Sequence, residues 1–165
     1  PSRQGSRARQ CLAAQALAVG GVHLDGLHAD SAVTLAVGAI PDDVQRLLDV
    51  TKESLRAGIA AATVGNHVGD IGHAVQAVAE GAGYGVVREL VGHGIGSRFH
   101  EEPEARAALR PGMTLAIEPM ITMGNPATKT LRDKWTVVTQ DGSLSAHFEH
   151  TVAITTEGPV ILTTA

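Results

Sequence analysis

Apolar and polar positions alternate with period two in several short stretches of this chain and recur with a helical period in two longer ones. From His28 to Val37, Val33, Leu35 and Val37 fall on one face and His28, Asp30, Ala32, Thr34 and Ala36 on the other, the pattern of a strand. Asp25-Gly26 before it is a hairpin-type turn. Pro41-Asp42-Asp43 opens a helix with acids in its first turn, and Val44, Leu47, Leu48, Thr51, Leu55 and Ile59 form its stripe. A second helix follows Gly69-Asp70, buries Ile71, Ala74, Val75 and Val78, and stops near Gly81 and Gly83. Tyr84 to Leu90 reads as a strand. Met113 to Met120 alternates until Pro119 stops the ladder after Glu118. Trp135 to Thr139 is a strand, Asp141-Gly142 a turn, and Leu144 to Thr155 the longest strand, with a short one at Val160 to Thr163. Before Asp25 the signal fades. Residues 1–10 are polar, basic and frayed, Cys11 to Val19 suits helix or strand, and Leu17 to Leu24 does not read as a strand.

Composition narrows the picture. At 165 residues the chain makes one domain with a real core. Aromatics are 2% of it, so Ala, Val, Leu and Ile must fill that core. Of the four aromatics Tyr84, Phe99, Trp135 and Phe148, the last three lie between Gly92 and Thr151, where they are expected to line something. A formal charge of -4 argues against nucleic acid or an anionic membrane as partner; Arg3, Arg7 and Arg9 are the only basic cluster. The single Cys11 excludes an internal disulfide and suits a reducing compartment. No apolar run approaches a membrane span, and residues 11–19 lack a signal peptide's cleavage site, so the expected location is the cytoplasm.

Three acids share one setting. Asp30 lies on a face with Ala32 and Thr34, Glu118 with Thr114 and Ala116, and Glu149 with Thr151 and Ala153, while the bulk sits on the opposite face of each strand. One such acid alone is more often an edge carboxylate facing water. Three of them, with a glycine-flanked His93 between, point to a metal-hydrolase site, because small neighbours leave room for an ion and a substrate. Gly92, Gly94 and Gly96 rule against a helix around His93, so the loop itself shapes the site. His28, His67 and His73 lack that setting. His147 faces the proposed site as an orienting neighbour, and His150 packs behind it.

Gly92-His93-Gly94-Ile95-Gly96, Phe99-His100-Glu101, Pro111-Gly112-Met113, Ile117-Glu118-Pro119-Met120, Trp135-Thr136 and Phe148-Glu149-His150-Thr151 resemble the type I (bacterial-type) methionine aminopeptidases, in order and residue choice, from about Asp25 onward. Xaa-Pro dipeptidases share the first motif but usually end in an arginine-x-glutamate-aspartate pattern where this chain has Glu149-His150-Thr151. The resemblance implies an α+β "pita-bread" fold, a curved antiparallel sheet backed by helices. It also implies a cytoplasmic metalloprotease, a hydrolase removing methionine from nascent-chain N-termini. Position by position it implies Asp30, His93, Glu118 and Glu149 as metal ligands, His100 and Glu118 as catalytic, and Phe99, His100 and Trp135 as substrate-binding. Three oxygens and one nitrogen suit Mn, Fe, Co or Zn. The family's further ligating aspartate falls at Val19, and its upstream portion, with a catalytic histidine, is missing. The expectation is therefore an atypical segment 1–24 before a metallopeptidase domain at 25–165, incomplete at its N-terminal side. One metal site is better supported than two, activity is reduced, and an exposed sheet edge favours self-association. The alternative is an inactive pita-bread binding module.

Overall fold

The computed structural model describes residues 15–103 and 105–164, so the expectations for residues 1–10 and for Cys11 lie outside the described residues. Helix α1 (Asp42–Ala61) starts where Pro41 fixes φ, and the Pro41 carbonyl accepts from Val44 and Gln45 N–H. Every residue of its expected stripe is buried. Thr51 and Ser54 share that face and donate their hydroxyls to the Leu47 and Val50 carbonyls, which satisfies them within the core. Helix α2 (Val68–Gly81) is opened by a capping box between His67 and Asp70 and buries Ile71, Val75 and Ala79, with Ala74 and Val78 half-buried. The two helices meet at Gly58, where a Cβ would stand 2.9 Å from Val75 Cγ2.

Strands β1 (Gln15–Leu24) and β2 (Leu27–Ala36) form a ten-residue hairpin around Asp25 and Gly26, both at positive φ. The expectation that Leu17 to Leu24 is not a strand is corrected: glycine and alanine blur its alternation, but β2 supplies a ladder partner for every residue. Next to β2 lies β10 (Glu149–Thr155), then β5 (Thr114–Ile117) and β4 (His93–Gly94); β11 (Gly158–Ile161) pairs the far half of β10. A second sheet joins β3 (Gly85–Val86), β6 (Met120–Thr122) and β9 (Ser145–His147), and a third joins β7 (Thr128–Thr130) and β8 (Val137–Thr139). All pairings are antiparallel.

Two further expectations change. The strand at Tyr84 to Leu90 shrinks to two residues. The run from Leu144 to Thr155 breaks at Phe148 into β9 and β10, so the hairpin strands are longer than either. Hydropathy sees one continuous segment there; the ladder shows it changing sheets. The chain crosses at the same level between β5 and β6, where Pro119 offers no N–H. α1 and α2 back these crossings, with Leu47, Ile121, Val152 and Ile154 almost wholly buried beneath them. Burying each such side chain contributes about 1.5–3 kcal/mol.

Candidate metal centre

The candidate site sits in the seam between the two larger sheets. Ile117 pairs with His150 on one side of the seam and Met120 with His147 on the other, leaving Glu118 and Pro119 across from Phe148 and Glu149 with no ladder pair between the two segments. Phe148, 5% exposed, turns toward the helices, with Lys52 Nζ over its ring. Glu149, 2% exposed, opens β10 beside it and pairs with Ala32 of β2 on its other flank.

The rest of the site is laid down by register. His93, Ala116 and Thr151 oppose one another across β4, β5 and β10. The Thr151 hydroxyl then accepts the Asp30 N–H and donates to the Asp30 carbonyl, each at 2.8 Å. Small side chains in the middle of this row leave the space around which the acids gather. His93 is held by a close-packed loop: a Cβ on Gly92 would lie 2.4 Å from the Ala116 oxygen, and one on Gly94 2.1 Å from the Glu102 oxygen. Backbone bonds exchanged between Gly94 and Glu101 close that loop.

Asp30, His93 and Glu149 each present a donor atom within 4.8 Å of the others, and so do Glu118, His147 and Glu149. Three of the four residues expected as ligands, Asp30, His93 and Glu149, share one trio; Glu118 falls in the other, and Glu149 belongs to both. His93 Nδ1 lies 2.9 Å from the Gly94 carbonyl, which can only accept, so Nδ1 carries the proton. Its Nε2 lone pair then faces the cluster, 3.6 Å from Glu118 Oε1. Glu118 Oε2 stands 3.7 Å from His147 Nε2. Glu149 Oε1 and His147 Nε2 are buried without a hydrogen-bond partner. Two unpartnered donors among three carboxylates and two imidazoles fit a divalent cation.

Burial, then the nearby Asp30 charge, pushes the Glu118 carboxyl up to about 7. Burial, followed by the charges of Glu118 and Asp30, pushes Glu149 up to about 8. Burial holds His147 below the usual imidazole range, and the Asp30 charge opposes it; burial also lowers His150. Folded, metal-free protein thus keeps two protons that unfolded glutamates release near pH 4.3. Their stabilisation is present in acid and is lost as pH rises through about 7 and about 8. The histidines give the opposite slope, complete by roughly pH 6.5. In EDTA the melting temperature is therefore expected to fall between pH 6.5 and pH 8, and a divalent cation to remove most of that fall. Calorimetry showing a flat or rising profile would contradict this.

His100 is exposed, belongs to neither trio, and lies with its ring 4.2 Å from that of His93 and 4.9 Å from that of Phe99. Phe99 packs over Gly21 of β1, where a Cβ would meet its ring at 2.8 Å. Trp135 is not brought to this group: it is 88% exposed beside β8, its backbone N–H donating to Asp133 Oδ1. His150 binds Thr163 behind the site. One feature goes further than the sequence reading, and another escaped it. His147 comes within ligand distance of Glu118, because the crossing at Phe148 aims it there. His28 stacks on His23, meets the Phe99 ring edge-on and binds the Gly96 carbonyl, joining the hairpin to the glycine loop. An apolar cavity of about 520 Å³ lies under α2; His93 and Glu118 reach it, but Phe99, His100 and Trp135 do not line it.

Comparison with known proteins bears on this geometry. The model of metallopeptidase family M24 matches residues 16–156, which takes in most of β1 and the chain from Asp25 to Thr156. The methionine aminopeptidase of Clostridium acetobutylicum is 50% identical over 151 residues, covering 87% of this chain and 60% of the relative. Methionine aminopeptidase 1 of Mycobacterium tuberculosis is 48% identical over 157 residues, covering 87% and 59%. The crystal structure of methionine aminopeptidase from Thermotoga maritima superimposes with a TM-score of 0.87 at 41% identity, covering 90% of this chain and 63% of that one. Prolidase from Pyrococcus furiosus, at 21% identity and a TM-score of 0.75, shares the fold alone. The chain spans about three fifths of the length of the curated relatives it matches. The pita-bread architecture is thus the one it adopts. No described helix is long and apolar enough to cross a membrane.

Proposed function

This chain belongs to metallopeptidase family M24, and from that we propose that it is a methionyl aminopeptidase: it binds one divalent cation, Mn, Fe, Co or Zn, through Asp30, His93, Glu118 and Glu149, and releases methionine from peptide N-termini. The observation that carries the reading is the pair of donor trios sharing Glu149, whose buried Oε1 has no partner. A cation held there would polarise the peptide carbonyl and lower the pKa of a water. Glu118, which stands between His93 and His147, would take a proton from the attacking water and return it to the leaving amine. The His100 imidazole donates to the carbonyl oxygen as charge develops on it. Phe99, packed between Gly21 and the two histidines, gives the methionyl side chain an apolar wall. The substrate class is the nascent-chain N-terminus in the cytosol. Trp135 joins the wall only if its hairpin folds down over it.

The test is methionine release from a Met-Ala-Ser peptide by EDTA-stripped protein before and after adding Mn(II), Co(II) or Zn(II). Release that requires the ion is expected. Ion binding with no methionine released would leave the chain as a binding module instead.

A second copy is the proposed partner of the sheet edge. Among the described residues β1 has no neighbour on its outer side, and Val22, Leu24 and Leu27 around the turn are more than half exposed. Sedimentation velocity is expected to show concentration-dependent association; a monomer at every concentration would contradict it.

A further inference from the structure

We infer that His23 and His28, facing each other across the β1–β2 turn, form a peripheral transition-metal site apart from the metal centre, taking a cation that favours nitrogen: Cu(II), Ni(II) or Zn(II). The two-residue turn at Asp25-Gly26 makes Leu24 and Leu27 its closing pair and His23 and His28 the next. In such a hairpin that next pair is not hydrogen-bonded across the ladder, which brings its Cα atoms to about 4.5 Å and sets both side chains close together on one face. The His28 N–H accordingly turns away from β1 and donates to the Gly96 carbonyl at 2.8 Å. The two imidazoles stack with centroids 4.3 Å apart and planes 21° from parallel. Nitrogens sharing a tetrahedral ion with bonds of about 2.1 Å sit about 3.4 Å apart. Rotation of the exposed His23 side chain brings a nitrogen of each ring to that spacing.

His28 is already set as a ligand. Its Nδ1 lies 3.2 Å from the Gly96 carbonyl, which can only accept, so Nδ1 carries the proton and Nε2 keeps its lone pair. A histidine that binds a metal through one nitrogen characteristically donates the other N–H to a carbonyl or carboxylate, which fixes the ring and its tautomer. The edge-on contact with Phe99 holds the same ring from another side. The pair belongs to neither donor trio, and the Phe99 ring lies 5.9 Å from the His28 ring and 5.9 Å from that of His93. The chemistry differs as well. The centre gathers three carboxylates, hard oxygens that suit Mn(II), whereas the pair offers imidazoles and leaves the remaining positions to water. Such a donor set holds Mg(II), Ca(II) and Mn(II) weakly and Cu(II), Ni(II) and Zn(II) more strongly. A cation here ties β1 to β2 at the turn, where Val22, Leu24 and Leu27 are exposed and little else packs.

The experiment is a Zn(II) titration of the full chain, wild type and His23→Gln, followed by ¹⁵N imidazole spectra that resolve each histidine. In wild type the His23 and His28 signals should shift together along one binding curve. In the variant the His93 response should be unchanged, while His28 should need more than about 10-fold more Zn(II), the least expected when a ligand's surroundings are disturbed. Mg(II) at the same concentrations should move neither ring. Should the variant fail to fold, the wild-type comparison of Zn(II) with Mg(II) decides alone. His23 and His28 signals unmoved at millimolar Zn(II), or moved equally by Mg(II), would overturn the site. So would a variant whose His28 responds as in wild type, because the shift would then be relayed from the metal centre. The variant keeps every donor of both trios. Shifts of His23 and His28 with none at His93 would therefore sink the proposed metal centre and leave this site standing.

Discussion

Replacing Glu149 by Gln is expected to strip the chain of its divalent cation, lowering affinity by more than about 100-fold. Glu149 belongs to both donor trios, so neither trio stays complete without it. Removing the orienting partner of a ligand already lowers affinity by about 10- to 100-fold, and a shared ligand should exceed that. The same substitution separates binding from folding. The carboxylate of Glu149 is buried beside Glu118 and Asp30, and both burial and their charges oppose its ionisation. A neutral amide of the same shape relieves that opposition. In EDTA at pH 8 the variant should therefore melt no lower than wild type, while losing the rise in melting temperature that the cation gives wild type. Affinity by competition with a fluorescent chelator checks the first part and calorimetry the second. An affinity within a few-fold of wild type would remove Glu149 from the site.

His100→Ala should do the reverse, leaving cation affinity nearly unchanged and lowering turnover by on the order of 10²-fold, the effect of losing one donor to developing negative charge. The difference from His93 follows from placement. His93 lies in a donor trio with its Nε2 turned inward; His100 lies outside both trios, its ring tilted against that of His93. His93→Ala should accordingly weaken binding itself. Parallel measurement of affinity and kcat for the two variants checks the assignment. Equal loss of the ion in both would make His100 a ligand.

Much of this was legible in the sequence because its signals are local. The stripe from Val44 to Ile59 needs only the helical period, and all of it is buried. The acids at Asp30, Glu118 and Glu149 stood out because side chains alternate along a strand whatever its neighbours do. Register and crossing are different, being properties of pairs of segments. β1 carries two glycines in a row and takes its form from β2, which is why its residues read as formless. The break at Phe148 leaves no mark in hydropathy, since residues on both sides stay apolar in alternation. That break aims His147 at Glu118, a relation between residues 29 positions apart that no spacing rule announces. For Trp135 a motif implied a place near the substrate, whereas its side chain is exposed beside the short β7–β8 hairpin.

The central claim is that one ion is held where these four side chains converge. A crystal of Mn(II)-loaded chain, with anomalous differences collected near the manganese edge, tests it most directly. The account predicts a peak in the seam between the two larger sheets, with one atom each of Asp30, His93, Glu118 and Glu149 at about 2.0–2.3 Å. A peak elsewhere, or one in the seam that leaves Asp30 and His93 outside its coordination sphere, would contradict it.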